Sequence, residues 1–289
     1  MSGRSGGEDL ARQVDAAQSI LGSAAAREAV RLERALGRCC TAIAEAMARL
    51  DPRSGAAARA VTGGVAIFAG RGSPLTQGLG IGLGGVAVTA AELDALEAHL
   101  CPDGSGSRQL ELCPFADPSV ATLLAARGYR VHEWQLVWTR ALGDETLAPP
   151  PPELTIRRVR AGEEERFFRV VLAGFLESEE VPEEAIALLR PSGFADGHEL
   201  YFALLGDEPI GGASLSWADG VAFVNGSGVR PAFRRRGAQG ALIRARLERA
   251  RALGCDLACS STLPGTASRR NMERHGFSVA YPKVLMLKD

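Results

Sequence analysis

The strongest chemical signal in the chain is the run Val229-Arg230-Pro231-Ala232-Phe233-Arg234-Arg235-Arg236-Gly237-Ala238-Gln239-Gly240-Ala241-Leu242. Apolar strand-like residues precede it and helical spacing follows, so the run is expected to lead from a strand into a helix. A helix start leaves backbone N–H groups without partners and carries the positive end of the dipole, which suits it to hold a pyrophosphate. Gly237 and Gly240 would let the backbone approach the anion, and the arginines would add charge. A solvated, Arg-rich helix start is the alternative for the same residues.

Holding such a loop in place takes a sheet with a helix behind it. Residues 154–159 read as a strand, and 162–176 and 182–189 have helical spacing of apolar residues. Three short apolar runs, 200–205, 210–217 and 221–229, are separated by Gly206-Asp207 and Asp219-Gly220 and read as an antiparallel meander. Leu242, Ile243, Leu247, Ala250 and Leu253 then make one helical stripe, with Arg244, Glu248 and Arg251 opposite and Gly254 placed to end the helix. A strand at 255–260, a helix at 267–275 stopped by Gly276, and strand residues over 277–287 complete the order β-α-α-β-β-β-α-β-α-β.

With these elements around it, the loop resembles that of the GNAT superfamily of acyl-CoA-dependent N-acyltransferases. The family's pyrophosphate loop reads Arg/Gln-x-x-Gly-x-Gly/Ala behind a strand ending in Val-x-Pro. Arg234, Gly237 and Gln239 fall in that frame behind Val229 and Pro231, with a glutamine where the family has glycine or alanine. Gln239 is therefore expected to turn outward and Gly240 to supply the close approach. A second segment, Pro264-Gly265-Thr266-Ala267-Ser268-Arg269-Arg270-Asn271-Met272-Glu273-Arg274-His275-Gly276-Phe277, matches the family's cofactor-flanking helix that ends in Gly-Phe. The resemblance covers about residues 154–289. It implies acetyl-CoA, or another short acyl-CoA, as co-substrate, with no metal. The cofactor residues it implies are Val229, Arg234, Arg235, Arg236, Gly237, Ala238, Gln239, Gly240, Ser268 and Asn271.

The resemblance further implies that a neutral amine, on a small molecule or a peptide, attacks the thioester in a ternary complex. An amine of pKa ~10 must first lose a proton. Many members carry a carboxylate on the strand before the loop, but residues 221–229 contain none. Asn225 and Ser227 there can orient a water. The tyrosine that many members place four residues before the Gly-Phe glycine is here Met272, which leaves Tyr281 as the candidate acid if the last strand turns it inward. Glu177, Glu179, Glu180 and His198 are further candidate bases, and the glutamates could draw in a cationic amine. The missing base and acid also fit a second function, a non-catalytic acyl-CoA-binding or interaction protein.

The first half repeats part of the second. A shift of 148 residues lays Arg127-Gly128-Tyr129-Arg130-Val131 on His275-Gly276-Phe277-Ser278-Val279. Upstream, a strand at 109–113 parallels 255–260, and a helix at 90–100 behind the capping box Thr89-Ala90-Ala91-Glu92 parallels 238–253. At the equivalent turn, Leu83-Gly84-Gly85-Val86-Ala87-Val88-Thr89 has glycines and no arginine. The expected fold class is α/β, with two tandem acyltransferase-like domains, each a mixed, mostly antiparallel sheet flanked by helices. The expected division is a flexible tail at 1–20, a degenerate acyltransferase-like domain at 21–140, a Pro-rich linker at 141–153 and the acyl-CoA-binding domain at 154–289. The first domain would cover the second one's sheet or help to shape its acceptor pocket.

Composition narrows the partners. The chain has 289 residues, 46% hydrophobic and 23% charged, which fits a folded globular protein. With 33 basic and 34 acidic residues the net charge is −1, so no global basic field exists to hold nucleic acid. No pair among Cys39, Cys40, Cys101, Cys113, Cys255 and Cys259 has the usual two-residue spacing of zinc ligands. Residues 1–10 lack a signal-peptide pattern, and no apolar run reaches the ~18 residues that span a bilayer. A cytoplasmic protein with free thiols and no membrane partner is the expectation, and the oligomeric state is left open.

Overall fold

A computed structural model of the chain describes residues 22–104 and 106–289. The tail expected over 1–20 lies outside the described residues. The first half runs α1 (Ala24–Leu50), β1 (Ala57–Val61), β2 (Gly64–Phe68), β3 (Gln77–Leu79), α2 (Ala90–Leu100), β4 (Arg108–Leu112), α3 (Pro118–Ala126) and β5 (Arg130–Ala141). The second runs β6 (Leu154–Arg158), α4 (Glu164–Leu176), α5 (Glu183–Leu189), β7 (His198–Leu205), β8 (Glu208–Ala218), β9 (Val221–Phe223), β10 (Gly228–Val229), α6 (Ala238–Ala252), β11 (Leu257–Thr262), α7 (Ala267–Arg274) and β12 (Ser278–Lys288). The element order expected for this half is present. Its third meander strand, however, breaks into β9 and β10.

The expected two sheets are joined into one, because the halves exchange strands. The order is β1-β2-β3-β4-β12-β5-β11-β9-β8-β7-β6, with β10 on β8. Thus β5 of the first half lies between β11 and β12, and β12 of the second lies between β4 and β5. All pairings are antiparallel except β3 with β4 and β9 with β11. The central β5–β12 pair obeys the 148-residue shift seen in the sequence: Gln135 faces Lys283, which is its own counterpart under that shift. Register slips skip His132 on one strand and Ala280 on the other, and these two residues are also 148 apart. A local two-fold relation runs through the middle of the sheet, down to its bulges.

One face of the sheet carries α2, α3, α6 and α7. The stripe Leu242, Ile243, Leu247 and Ala250 of α6 packs there on Ala203, Ile210, Ala213, Leu215 and Ala258. The other face carries α4, α5 and α1, a 27-residue helix that the sequence reading did not anticipate. Ser23 caps α1 by accepting from the Ala26 N–H at 3.1 Å. Its Ala29, Leu32, Ala35 and Cys39 bury against Val137 and Tyr281 as well as Val221 and Phe223, so one helix staples strands drawn from both halves. Arg31 to Asp256 (2.8 Å to Oδ2) and Arg38 to Asp219 (3.0 Å) hold its outer side.

Helix α4 lies directly on β10 without intervening side chains. A Cβ on Gly228 would stand 2.2 Å from the Val171 carbonyl oxygen, and one on Gly174 would stand 2.6 Å from the Val229 nitrogen. Both obstacles are backbone and cannot rotate away. Gly228→Ala should therefore destabilise the protein by about 3 kcal/mol, the upper part of the range for overpacking. Urea denaturation monitored by circular dichroism checks this, with a clearly lower midpoint expected.

Candidate active site

The loop after β10 turns through residues 231–233 in 3-10 conformation and then enters α6. Arg235 and Gly237 take left-handed backbone angles, φ 65° and 80°. No protein acceptor takes the N–H groups of Arg235, Arg236, Gly237, Ala238, Gln239 or Gly240 among the described residues, and α6 has no side-chain cap. These amides and the helix dipole could hold an anion. The glycines do not open it as the sequence suggested. A Cβ on Gly237 would meet Pro151 of the linker at 2.9 Å, and one on Gly240 would meet the His275 ring at 3.3 Å. Gly237 admits the linker and the left-handed turn, and Gly240 admits the neighbouring helix. Through that contact α7 stands beside the loop. His275 Nδ1 lies 2.7 Å from the Asn271 carbonyl, Asn271 is half-buried and Ser268 is exposed.

The arginines divide into two groups. Arg230 is held by Glu179 (2.8 Å) and Glu208 (2.6 Å), and Arg234 by Glu177 (3.1 Å) and the Gly174 carbonyl (3.0 Å). Glu177 and Glu179 therefore tie α4 to the loop, which corrects their reading as bases or lures for an amine. Glu180 is exposed and takes no cation among the described residues. Arg235 and Arg236 are exposed and unpaired there, and supply the loop's free positive charge. The corresponding helix start in the first half, at α2, is filled by its own carboxylate. Glu92 accepts from the Thr89 N–H (2.8 Å) and hydroxyl, and Thr89 accepts in turn from the Glu92 N–H. Bonds from Thr62 and Thr89 pull the Glu92 carboxyl down to about 2, so it stays an anion at that helix start.

Between loop and sheet centre the strands part. β9 and β11 pair over three residues, the Val224 N–H reaches the Cys259 carbonyl at 2.9 Å, and then the strands separate. Asn225 stands at the apex. Its Oδ1 accepts from the Ser261 N–H (3.3 Å) and Ser260 Oγ (3.2 Å), replacing ladder bonds where the ladder ends. Gly226, at φ 59°, turns the chain back to β10. Beneath lies Arg246 of α6, fully buried, which nothing in the local sequence pattern marks. Its guanidinium donates to the carbonyls of Leu242 (3.0 Å), Ser214 (2.7 Å) and Asn225 (3.0 Å) and to Ser227 Oγ (2.9 Å). Burial pulls Arg246 down to about 9, which leaves it a cation at neutral pH.

On the far face of this gap is a cavity of about 320 Å³. Its floor is a polar row across the strands, with His198, Ser216, Ser214, Asn225, Ser261, Gln135, Lys283 and Glu111. Its roof is apolar: Leu36 and Ile43 from α1, and Phe167, Phe168, Leu172 and Phe175 from α4. Phe175 is 59% exposed and marks the mouth. Residues of the first half thus complete a cavity that opens at the second half's strands. Burial lowers His198 to about 4, so its ring is neutral at pH 7, and no protein partner hydrogen-bonds it among the described residues.

Asn225 and Ser227 are therefore brought to the gap, but Tyr281 is not. It is buried under α1, outside the cavity lining, and its hydroxyl donates to Glu33 Oε1 at 2.7 Å. Burial and the Glu33 charge both raise its pKa far above the usual range, so it is a poor proton donor. The same Glu33, with Glu111, flanks the buried Lys283, whose ammonium they stabilise against the cost of burial. Met272 packs in the core on the α6 side. No group of metal-binding residues occurs among the described residues, and no described helix is long and apolar enough to cross a membrane.

Residues 163–277 match the model of the acetyltransferase (GNAT) family. No curated protein matches the chain. Among solved structures, a GCN5-related N-acetyltransferase from Kribbella flavida is 18% identical at TM-score 0.58, over 86% of this chain and 95% of that one. A tandem GNAT protein from the clavulanic acid biosynthesis pathway is 17% identical at TM-score 0.53, over 74% of each chain. A GCN5-related N-acetyltransferase from Sphaerobacter thermophilus is 20% identical at TM-score 0.50, over 68% of this chain and 66% of that one. At these identities the likeness is one of fold. The family match itself is confined to residues 163–277, within the second half of the chain, the segment that carries the loop and the split strand.

Proposed function

We propose that the protein is an acyl-CoA-dependent N-acyltransferase that moves an acetyl or other short acyl group onto a small amine. The observation that carries this reading is the gap past Phe223 and Cys259, which has free loop amides at one end and the cavity on its far face. Pyrophosphate would rest on the amides of 235–240 with Arg235 and Arg236 beside it, and Ser268 and Asn271 would flank the arm that enters the gap. The amine would lie in the cavity, with an apolar body under the α1 and α4 side chains and polar groups on the floor. A cavity of about 320 Å³ roofed by a helix favours a small molecule over a lysine on a folded protein. The first half is a duplicated, degenerate acyltransferase unit. It keeps the strands and α1 that wall the cavity and has lost the anion cradle to Glu92.

Holding amine and thioester together supplies much of the rate, since approximation is worth ~7–11 kcal/mol. The amine proton leaves to solvent through cavity water held at the polar floor, where Asn225 lies. The thioester carbonyl would be polarised by the backbone near Val229. The amine then forms the new C–N bond, the C–S bond breaks with its electron pair on sulfur, and CoA departs as thiolate.

Calorimetry with CoA should find one site per chain, and Arg236→Glu should weaken it about tenfold or more, as expected for losing a charge-assisted contact. Two equivalent sites, or unchanged affinity, would refute the assigned loop. Thiol release from acetyl-CoA across a panel of small amines tests turnover, and binding without any turnover would favour a non-catalytic acyl-CoA-binding protein.

The pH dependence follows from His198. Because its folded value is lowered to about 4, it is fully deprotonated across the working range and adds no step near the ordinary histidine value of ~6.5. Turnover should therefore rise steadily from pH 6 to 9 as an amine of pKa ~10 becomes neutral. His198→Gln should lower kcat by less than about tenfold, well short of the ~100-fold typical of a lost acid-base group, with CoA affinity unchanged. An inflection near pH 6.5 that vanishes in this variant would contradict the assigned state of the ring.

A further inference from the structure

Arg246 is a buried cation that no carboxylate meets among the described residues, and a buried charge without a counter-charge is costly. Four neutral oxygens receive it, and three of them are carbonyls. The fourth, Ser227 Oγ at 2.9 Å, is different because it carries a proton of its own. A guanidinium has donors only, so Ser227 must accept from Arg246 and point its O–H elsewhere. No acceptor among the described residues takes that hydroxyl proton, and Ser227 is only half-buried. It sits between Asn225 at the apex of the gap and Val229 at the start of the loop, so a ligand threading from loop to cavity passes it. The arrangement is a hydroxyl donor polarised by a fixed positive charge, aimed where no protein group answers it.

We infer that Ser227 is a catalytic residue whose hydroxyl, polarised by Arg246, holds the sulfur of CoA as it becomes a thiolate. This rests on the acyl-CoA reading above and assigns its leaving-group end, which lacks the tyrosine replaced by Met272. In this step the C–S bond breaks, the electron pair stays on sulfur, and Ser227 donates a hydrogen bond to it without giving up its proton. The thiolate takes a proton from solvent after release. Arg246 touches no substrate and is the positioning residue. Of the other charged groups on the elements around Ser227, Arg230 and Arg234 are paired with Glu179, Glu208 and Glu177, Arg169 of α4 with Glu165 and Glu183, and on α6 Arg249 with Glu199 and Arg251 with Asp144, while Arg244 reaches the Pro149 carbonyl and Arg235 and Arg236 of the loop are exposed.

The test uses full-length protein and CoA itself, so it does not depend on knowing the acceptor. The ionisation of the bound CoA thiol is followed by thiolate absorbance in the ultraviolet, and acetyl-CoA affinity is measured in parallel. In the wild type the bound thiol should ionise at least about tenfold more readily than free CoA, that is, one pH unit lower. Ser227→Ala should return it to the free value while acetyl-CoA binds as before, and Ser227→Thr should keep the shift. Arg246→Met should abolish the shift if the variant folds, and Arg246→Lys should keep part of it. An unshifted thiol in the wild type, or a shift that persists in Ser227→Ala, would overturn the inference and leave the acyl-CoA reading standing. Failure of wild-type protein to bind CoA at all would overturn both.

Discussion

The pairing of β5 with β12 is the constraint on which the rest of the molecule depends. Each strand belongs by chain order to one half and by hydrogen bonding to the other. Without β5, β11 would be an edge strand with its Leu136- and Val137-facing groups unpaired. Without β12, β4 would be left open in the same way. Exposed edges of this kind invite unwanted pairing, and the exchange removes both at once. It also fixes the spacing of the halves to the width of two strands, so α1 can lie across both and bury one apolar stripe on residues from each.

The site inherits its shape from that arrangement. Because α1 crosses the seam, Leu36 and Ile43 roof a cavity whose floor runs from His198 in the second half to Glu111 in the first. The direct seating of α4 on β10 sets the height of the roof, and the Glu177–Arg234 and Glu179–Arg230 pairs lock the end of α4 to the loop. Surface pairs of this sort add little stability individually. Their value lies in fixing one geometry between the helix over the cavity and the turn that would carry the cofactor.

Much of this was legible in the sequence where the signal is local. Glycine, arginine and helical spacing marked the loop and α6, and Thr89 with Glu92 marked the start of α2. The five-residue match at 127–131 and 275–279 pointed to a relation that the β5–β12 register now carries through to paired bulges. What was hidden depends on contacts distant in sequence. Arg246 sits three residues after Ile243 and four after Leu242, positions that bury it, but an arginine in a helix reads as solvated until the broken strand above it is known. Tyr281 alternates into the sheet as expected, yet only the presence of α1 makes that face a closed one. The glutamates at 177 and 179 read as free acids because their arginine partners lie more than fifty residues away.

The strand exchange also bears on how the protein reaches this structure during synthesis. β12 follows every other strand in chain order, yet it must enter between β4 and β5, both made long before it. Contacts of such long sequence separation form slowly, because loop closure is required before they are rewarded. Until β12 emerges, β4 and β5 have no partner between them, and the ceiling formed by α1 rests on an unfinished floor. The nascent chain therefore holds two incomplete sheets with open edges, a state prone to association and to capture by chaperones. Neither half can mature ahead of the other, so the loop before α6 and the cavity would take shape in a single late event.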